Sequence, residues 1–199
     1  RADHAAAQDA VFNEFPKEFL EERGILELQS RCDSKDTYLT RPDLGRRLSE
    51  ESAETLKNFY KKAPTCVVFA ADGLSGTAIE ANYDIVIPAL MNGLKAHGID
   101  AGEPFFVRYG RVAVQDEVSE ITGCDVCVCL IGERPGLATA KSMSAYITYK
   151  GTIGMSEARR TVVSNIHNAG TPAAEAGAHI ADIVDIMLKE KASGTDLKL

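Results

Sequence analysis

Three short glycine-bearing turns carry most of the polar chemistry of this chain: Asp72-Gly73-Leu74-Ser75-Gly76, Arg108-Tyr109-Gly110-Arg111-Val112 and Gly132-Glu133-Arg134-Pro135-Gly136. In each, glycine lets the backbone approach a ligand closely, and a carboxylate, hydroxyl or guanidinium beside it can orient that ligand. Singly, each turn also reads as a connection whose Asp, Ser or Gly satisfies backbone geometry. Together they read as a site, with 132–136 the leading ligand contact. A fourth polar stretch, Ser164-Asn165-Ile166-His167-Asn168, adds the one histidine near such a turn. No Gly-x-Gly-x-x-Gly follows a strand and no Walker loop occurs, which disfavours nicotinamide and nucleoside-triphosphate binding. Cys127 and Cys129 share a strand face with Cys124 just before it, but no second pair at zinc spacing exists. All three read as small buried hydrophobes. His4, His97, His167 and His179 lie outside any nucleophile motif, so no self-sufficient active site is visible.

Turns of this kind need a sheet that gathers them at one edge. Residues 65–71 (TCVVFAA) are apolar on both faces, as in a central parallel strand. A long helix follows over 77–97, interrupted by Pro88 and closed by Gly98. Residues 104–109 form the next strand, 115–122 a helix closed by Gly123, and 125–132 the third strand. Residues 145–149 read as a fourth strand and 156–163 as a helix. A final helix opens at Thr171-Pro172 and carries Ala176, Ile180, Ile183, Val184 and Met187 on one face, ending near Gly194. With a helix from Ser49 to about residue 62, this alternation implies a doubly wound, Rossmann-like parallel sheet with helices on both faces, spanning 47–199. Ligands of such sheets bind outside the carboxyl ends of the strands, where the three turns fall. Residues 1–46 form an N-terminal extension. Two short helices lie in 1–24, the second opened by Pro16 and ended by Gly24. An edge strand covers 25–29 and a loop covers 30–46.

Composition narrows the function classes. Across 199 residues, 45% are hydrophobic, enough for a packed core without staples. The net charge of −7 repels phosphate backbones and argues against nucleic-acid binding, while leaving room for a small anion held by local arginines. Five cysteines, an odd number, fit a reducing cytoplasm. No apolar run approaches the ~20 residues that span a bilayer. Arg1 in place of Met is expected of a chain that has lost a leading segment.

Several segments in the same order resemble one family. They are Tyr38-Leu39-Thr40-Arg41-Pro42-Asp43-Leu44-Gly45-Arg46-Arg47-Leu48, Pro104-Phe105-Phe106-Val107-Arg108-Tyr109-Gly110-Arg111-Val112, Gly132-Glu133-Arg134-Pro135-Gly136-Leu137, Ser164-Asn165-Ile166-His167 and Lys191-Ala192-Ser193-Gly194. Across essentially its whole length the chain is similar to the small subunit of ethanolamine ammonia-lyase, the adenosylcobalamin-dependent enzyme. That resemblance implies a large barrel subunit carrying the substrate pocket, with the small subunit clasping cobalamin over its mouth in a hetero-oligomer of paired subunits. It implies conversion of ethanolamine to acetaldehyde and ammonia by a radical mechanism in the assembled enzyme. It carries cofactor contacts onto Val112, Glu133 and Val162; beside them, the chemistry of Arg134 suits orienting Glu133 or approaching the nucleotide phosphate. Val162 stands where some relatives have Cys, which implies a backbone or packing contact rather than thiol chemistry. The family's further N-terminal stretch, absent here, is associated with packaging into a bacterial microcompartment. The alternatives are a stand-alone nucleotide-binding α/β enzyme and a structural or packaging partner. The Asp-x-His-x-x-Gly motif that supplies a cobalt ligand in other cobalamin domains is absent, so the cofactor is expected to keep its own base. Reduced cobalt in the complex should then give an EPR spectrum without nitrogen splitting from a protein histidine, and such splitting would contradict the expectation.

Overall fold

The computed structural model describes residues 11–136 and 139–198. The expected first helix around Ala5 to Ala10 lies outside the described residues. Chain order runs α1 (Lys17–Glu22), β1 (Leu26–Gln29), α2 (Lys35–Thr40), α3 (Pro42–Gly45), α4 (Glu50–Lys57), β2 (Cys66–Ala71), α5 (Gly76–Ala96), β3 (Phe105–Arg108), α6 (Val114–Thr122), β4 (Val126–Gly132), β5 (Met143–Tyr149), β6 (Thr161–Ile166) and α7 (Ala173–Glu190). The six strands form one sheet in the order β1-β3-β2-β4-β5-β6.

The sheet is mixed, which corrects the parallel sheet expected from sequence. β1, β3, β2 and β4 run parallel, whereas β5 is antiparallel to both β4 and β6. A parallel neighbour requires a long crossover, usually a helix. The connection 133–142 has no helix among its described residues, so β4 turns back into an antiparallel partner. The second correction is at 156–163. Only a single 3-10 turn forms, Glu157–Arg159, and Thr161–Ile166 is a strand. Thr161, Val162 and Val163 are β-branched and favour the strand, and the free side of β5 supplies its partner. Residues 30–46 hold two short helices, α2 and α3, rather than a continuous loop.

Helices do cover both faces. Cys66, Val68 and Ala70 of β2 point into a core shared with α5 and α7, while Val67, Phe69 and Ala71 point into a second core with α4 and α6. Period-two alternation thus divides one apolar strand between two cores. β1 pairs with β3 at the sheet edge. All five cysteines are buried and unbridged, with Cys124, Cys127 and Cys129 in the core beside α6. No metal-competent cluster occurs among the described residues.

Within the parallel half, α5 carries the chain from β2 to β3 on one side, and α6 returns it across β2 to β4 on the other. Strand order therefore reverses between β2 and β4, and crevices at carboxyl ends form at such reversals. α5 runs unbroken through Pro88 and is packed closely by α7. A Cβ on Gly177 would stand 2.7 Å from Ala89 Cβ and 2.8 Å from the Leu90 nitrogen. Gly177→Ala should gain about 1 kcal/mol of helix propensity but lose about 1–3 kcal/mol to overpacking. A lowered urea midpoint is the expected result, and a raised one would show that α5 and α7 part freely.

Candidate functional site

The reversal point opens into a cavity of about 510 Å³ lined by residues from all three glycine-bearing turns. Leu74 comes from the turn after β2, Arg111 and Val112 from the turn after β3, and Gly132, Glu133 and Arg134 from the end of β4. Tyr38 of α2, Ser144 and Tyr146 of β5, and Val162 and Ser164 of β6 complete much of the wall. Val112, Glu133, Arg134 and Val162 are therefore brought together, although they come from three separated segments. His167 is not among the residues lining this cavity; it lines a second one of about 230 Å³ with Asn82 and Lys141.

Strand parity explains the floor. Ile131 is opposite Ser144, Cys129 is opposite Tyr146, and Tyr146 is opposite Val162. These pairs lie on the face that α4 and α6 cover further back, beside Cys127, Cys129 and Val114. α7 packs on β5 and β6 from the opposite face. Val162 is 47% exposed there, an apolar side chain on open sheet.

Glu133 is the most tightly held group in the cavity. Ser142 Oγ donates to its Oε2 at 2.6 Å, Ser144 Oγ donates to Oε1, and the Asn165 backbone N–H donates to Oε1 at 3.2 Å. Partial burial alone would raise its pKa, but the two hydroxyls, the Asn165 N–H and nearby His167 outweigh it and hold the carboxyl below the usual value. Three of its roughly four acceptor positions are taken, leaving one on Oε2. Asn165 sits at φ 60°, a left-handed backbone that asparagine tolerates and that turns its N–H toward Glu133. Arg134, expected to orient Glu133, is exposed and makes no hydrogen bond or ion pair among the described residues; the serines do that work.

Arg111 lies on the opposite wall. Its guanidinium stacks 4.5 Å from the Tyr38 ring centroid and donates from Nη2 to the Tyr38 carbonyl at 2.6 Å, while its buried Nε has no partner among the described residues. Behind this wall, Asp72 is buried and accepts from the Tyr109 N–H at 2.8 Å. Tyr109 holds a left-handed φ of 56°, strained for an aromatic residue and stabilised by that bond.

Sequence reasoning missed Ser142, Ser144, Tyr146 and the cavity role of Tyr38. β5 begins at Met143, two residues before the expected start. With that start, the alternation of Ser144, Tyr146 and Thr148 would have marked a polar face.

Comparison with known proteins agrees with the sequence resemblance. Residues 1–198 match the family model of the ethanolamine ammonia-lyase light chain. The chain is 62% identical over 199 residues to the ethanolamine ammonia-lyase small subunit of Fusobacterium nucleatum, covering all of this chain and 68% of that one. It is 58% identical to the protein of the same name from Clostridium tetani, covering all of this chain and 67% of that one. It is 50% identical over 198 residues to that of Listeria monocytogenes, covering 68% of that chain.

A depressed carboxyl pKa contributes stability that is complete above its unfolded value and is lost as pH falls through its folded value. Wild type should therefore exceed Glu133→Gln in unfolding free energy above about pH 4.3, the ordinary glutamate value, and the gap should close at lower pH. Urea titrations across that range test this, and a gap independent of pH would remove the ionised carboxylate from the account.

Proposed function

Because the chain belongs to the ethanolamine ammonia-lyase light chain family, we propose that it is the small subunit that clasps adenosylcobalamin against a large, barrel-shaped catalytic subunit. The observation that carries this reading is the convergence of Val112, Glu133, Arg134 and Val162 on one cavity beside the carboxyl ends of β2, β3 and β4. The lining suits a large ring with an apolar face and an amide-bearing rim. Val112, Val162, Leu74 and Ile131 offer apolar surface. Glu133, ionised at neutral pH, keeps one acceptor position for an amide or ribose donor. Arg134 and Arg111 line the same space as cationic groups for a phosphate or a carbonyl.

A cavity of about 510 Å³, open on one side, takes an edge or arm of so large a ligand and leaves the rest to a second surface. That second surface is the large subunit's share. When bound, cobalamin supplies the radical chemistry that takes ethanolamine to acetaldehyde and ammonia, and the protein binds and orients it. Glu133 acts as a fixed acceptor, since its serine contacts keep it deprotonated and unsuited to proton shuttling. On this reading residues 1–46 are an N-terminal extension of the 47–199 domain, and the assembly works in the cytoplasm within a bacterial microcompartment. No helix among the described residues is long and apolar enough to cross a membrane.

The purified chain should not turn over ethanolamine, and adding a large subunit with adenosylcobalamin should produce deamination. In that assembly Glu133→Ala should weaken cobalamin binding about tenfold or more, the loss of one hydrogen bond to a charged group. Full activity of the chain alone would sink the proposal. Unchanged affinity would reduce the chain to a structural partner.

A further inference from the structure

Lys35 is a lysine buried to 6% exposure that lies outside the cavity lining. Buried lysines are rare and are normally paired. Its Nζ donates to the Gly73 carbonyl at 2.5 Å, stands 3.9 Å from Asp72 Oδ2, and lies 4.7 Å from the Tyr38 ring centroid. Tyr38 lines the cavity, and Asp72 and Gly73 belong to the turn after β2 that carries Leu74 into its lining. Gly73 precedes Leu74, and the Leu74 N–H donates to the Gly132 carbonyl at 3.2 Å. Asp72 fixes the Tyr109 N–H and with it the turn that carries Arg111 and Val112. The Lys35 ammonium and the Arg111 guanidinium each lie over the Tyr38 ring.

We infer that Lys35 is a positioning residue for the cofactor site, the buried cation that locks the turns after β2 and β3 and the Tyr38 wall into one geometry. The inference rests on the reading that this cavity takes cobalamin, and it adds a residue of the 1–46 segment to that function. Burial penalises both charges, pushing the Lys35 ammonium's pKa down and the Asp72 carboxyl's up, and their mutual attraction opposes both shifts. A pair 3.9 Å apart is a modest source of stability once desolvation is charged against it. A hydrophobic replacement would fill the site as well. What methionine cannot supply is the directional bond to the Gly73 carbonyl and the cation over Tyr38, which set where Leu74 and Arg111 sit.

Lys35→Met and the double variant Lys35→Met/Asp72→Asn, each assembled with the large subunit, separate positioning from folding. The single variant leaves Asp72 buried and unpaired, so its melting temperature should fall. The double variant removes that charge while the asparagine carbonyl still accepts from Tyr109 N–H, so its melting temperature should recover. Cobalamin affinity should not recover: the Kd should stay about tenfold above wild type in both, with the loss falling mainly on the KM for cobalamin and only secondarily on kcat. Recovery of affinity together with melting temperature would show a purely structural lysine and overturn the inference. Wild-type affinity in either assembled variant would do the same. Should Lys35→Met fail to assemble, the double variant reads the same quantity. Absence of cobalamin binding by the wild-type complex would instead overturn the functional reading, and this inference with it.

Discussion

The ends of β2 and β4 approach so closely at Gly132 that a Cβ there would overlap the Ser75 carbonyl and stand 2.8 Å from the Asp72 oxygen. Gly73, on the facing turn, meets Ile131 with equally little room and holds a left-handed φ of 57°. Two glycines thus permit a contact between neighbouring strand ends that other residues would pry apart. The cavity depends on this. It fixes the turn carrying Leu74, and it fixes the point where the chain leaves β4, so Glu133 emerges on the face that β5 and β6 extend. An outward shift of β4 by the width of a methyl group would carry Glu133 away from Ser142 and Ser144.

A second constraint comes from Arg160, the residue before β6. Its guanidinium forms paired 2.8 Å bonds to both oxygens of Asp116 on α6, and both groups are buried. Glu157 adds bonds at 2.7 and 3.1 Å. A forked guanidinium and carboxylate specify orientation as well as distance. Here they tie the start of β6, two residues before Val162, to the helix that begins just after Val112. Buried pairs contribute little net stability, and their worth lies in geometry. Apolar packing supplies the folding energy, while buried charge sets the alignment of the cavity walls.

Much of the scaffold was legible along the chain, because periodicity and end signals are local. The apolar run at 65–71, the helix stop at Gly123 and the amphipathic stripe of the last helix each specify their element through neighbours a few residues away. Val162 shows where that fails. Thr161 to Val163 carry β-branched side chains, yet the stretch reads as helix from its surroundings. It becomes a strand because β5 offers an unpaired edge, a fact about a segment elsewhere in the chain. The direction of β5 was likewise invisible, since it follows from the lack of a helix in the preceding connection.

By itself the sequence determined which residues could meet a ligand: three glycine turns at strand ends, with Val112, Glu133 and Arg134 among them. It did so because turn chemistry and strand periodicity act over a few bonds. Only the tertiary structure decided that Glu133 is anchored by Ser142, Ser144 and Asn165 rather than by Arg134, and that Tyr38 and Lys35 stand beside the turns after β2 and β3. Hydrogen bonds between residues nine to more than thirty positions apart depend on strand pairing and helix docking. Those arrangements exist only once the apolar faces have been buried together.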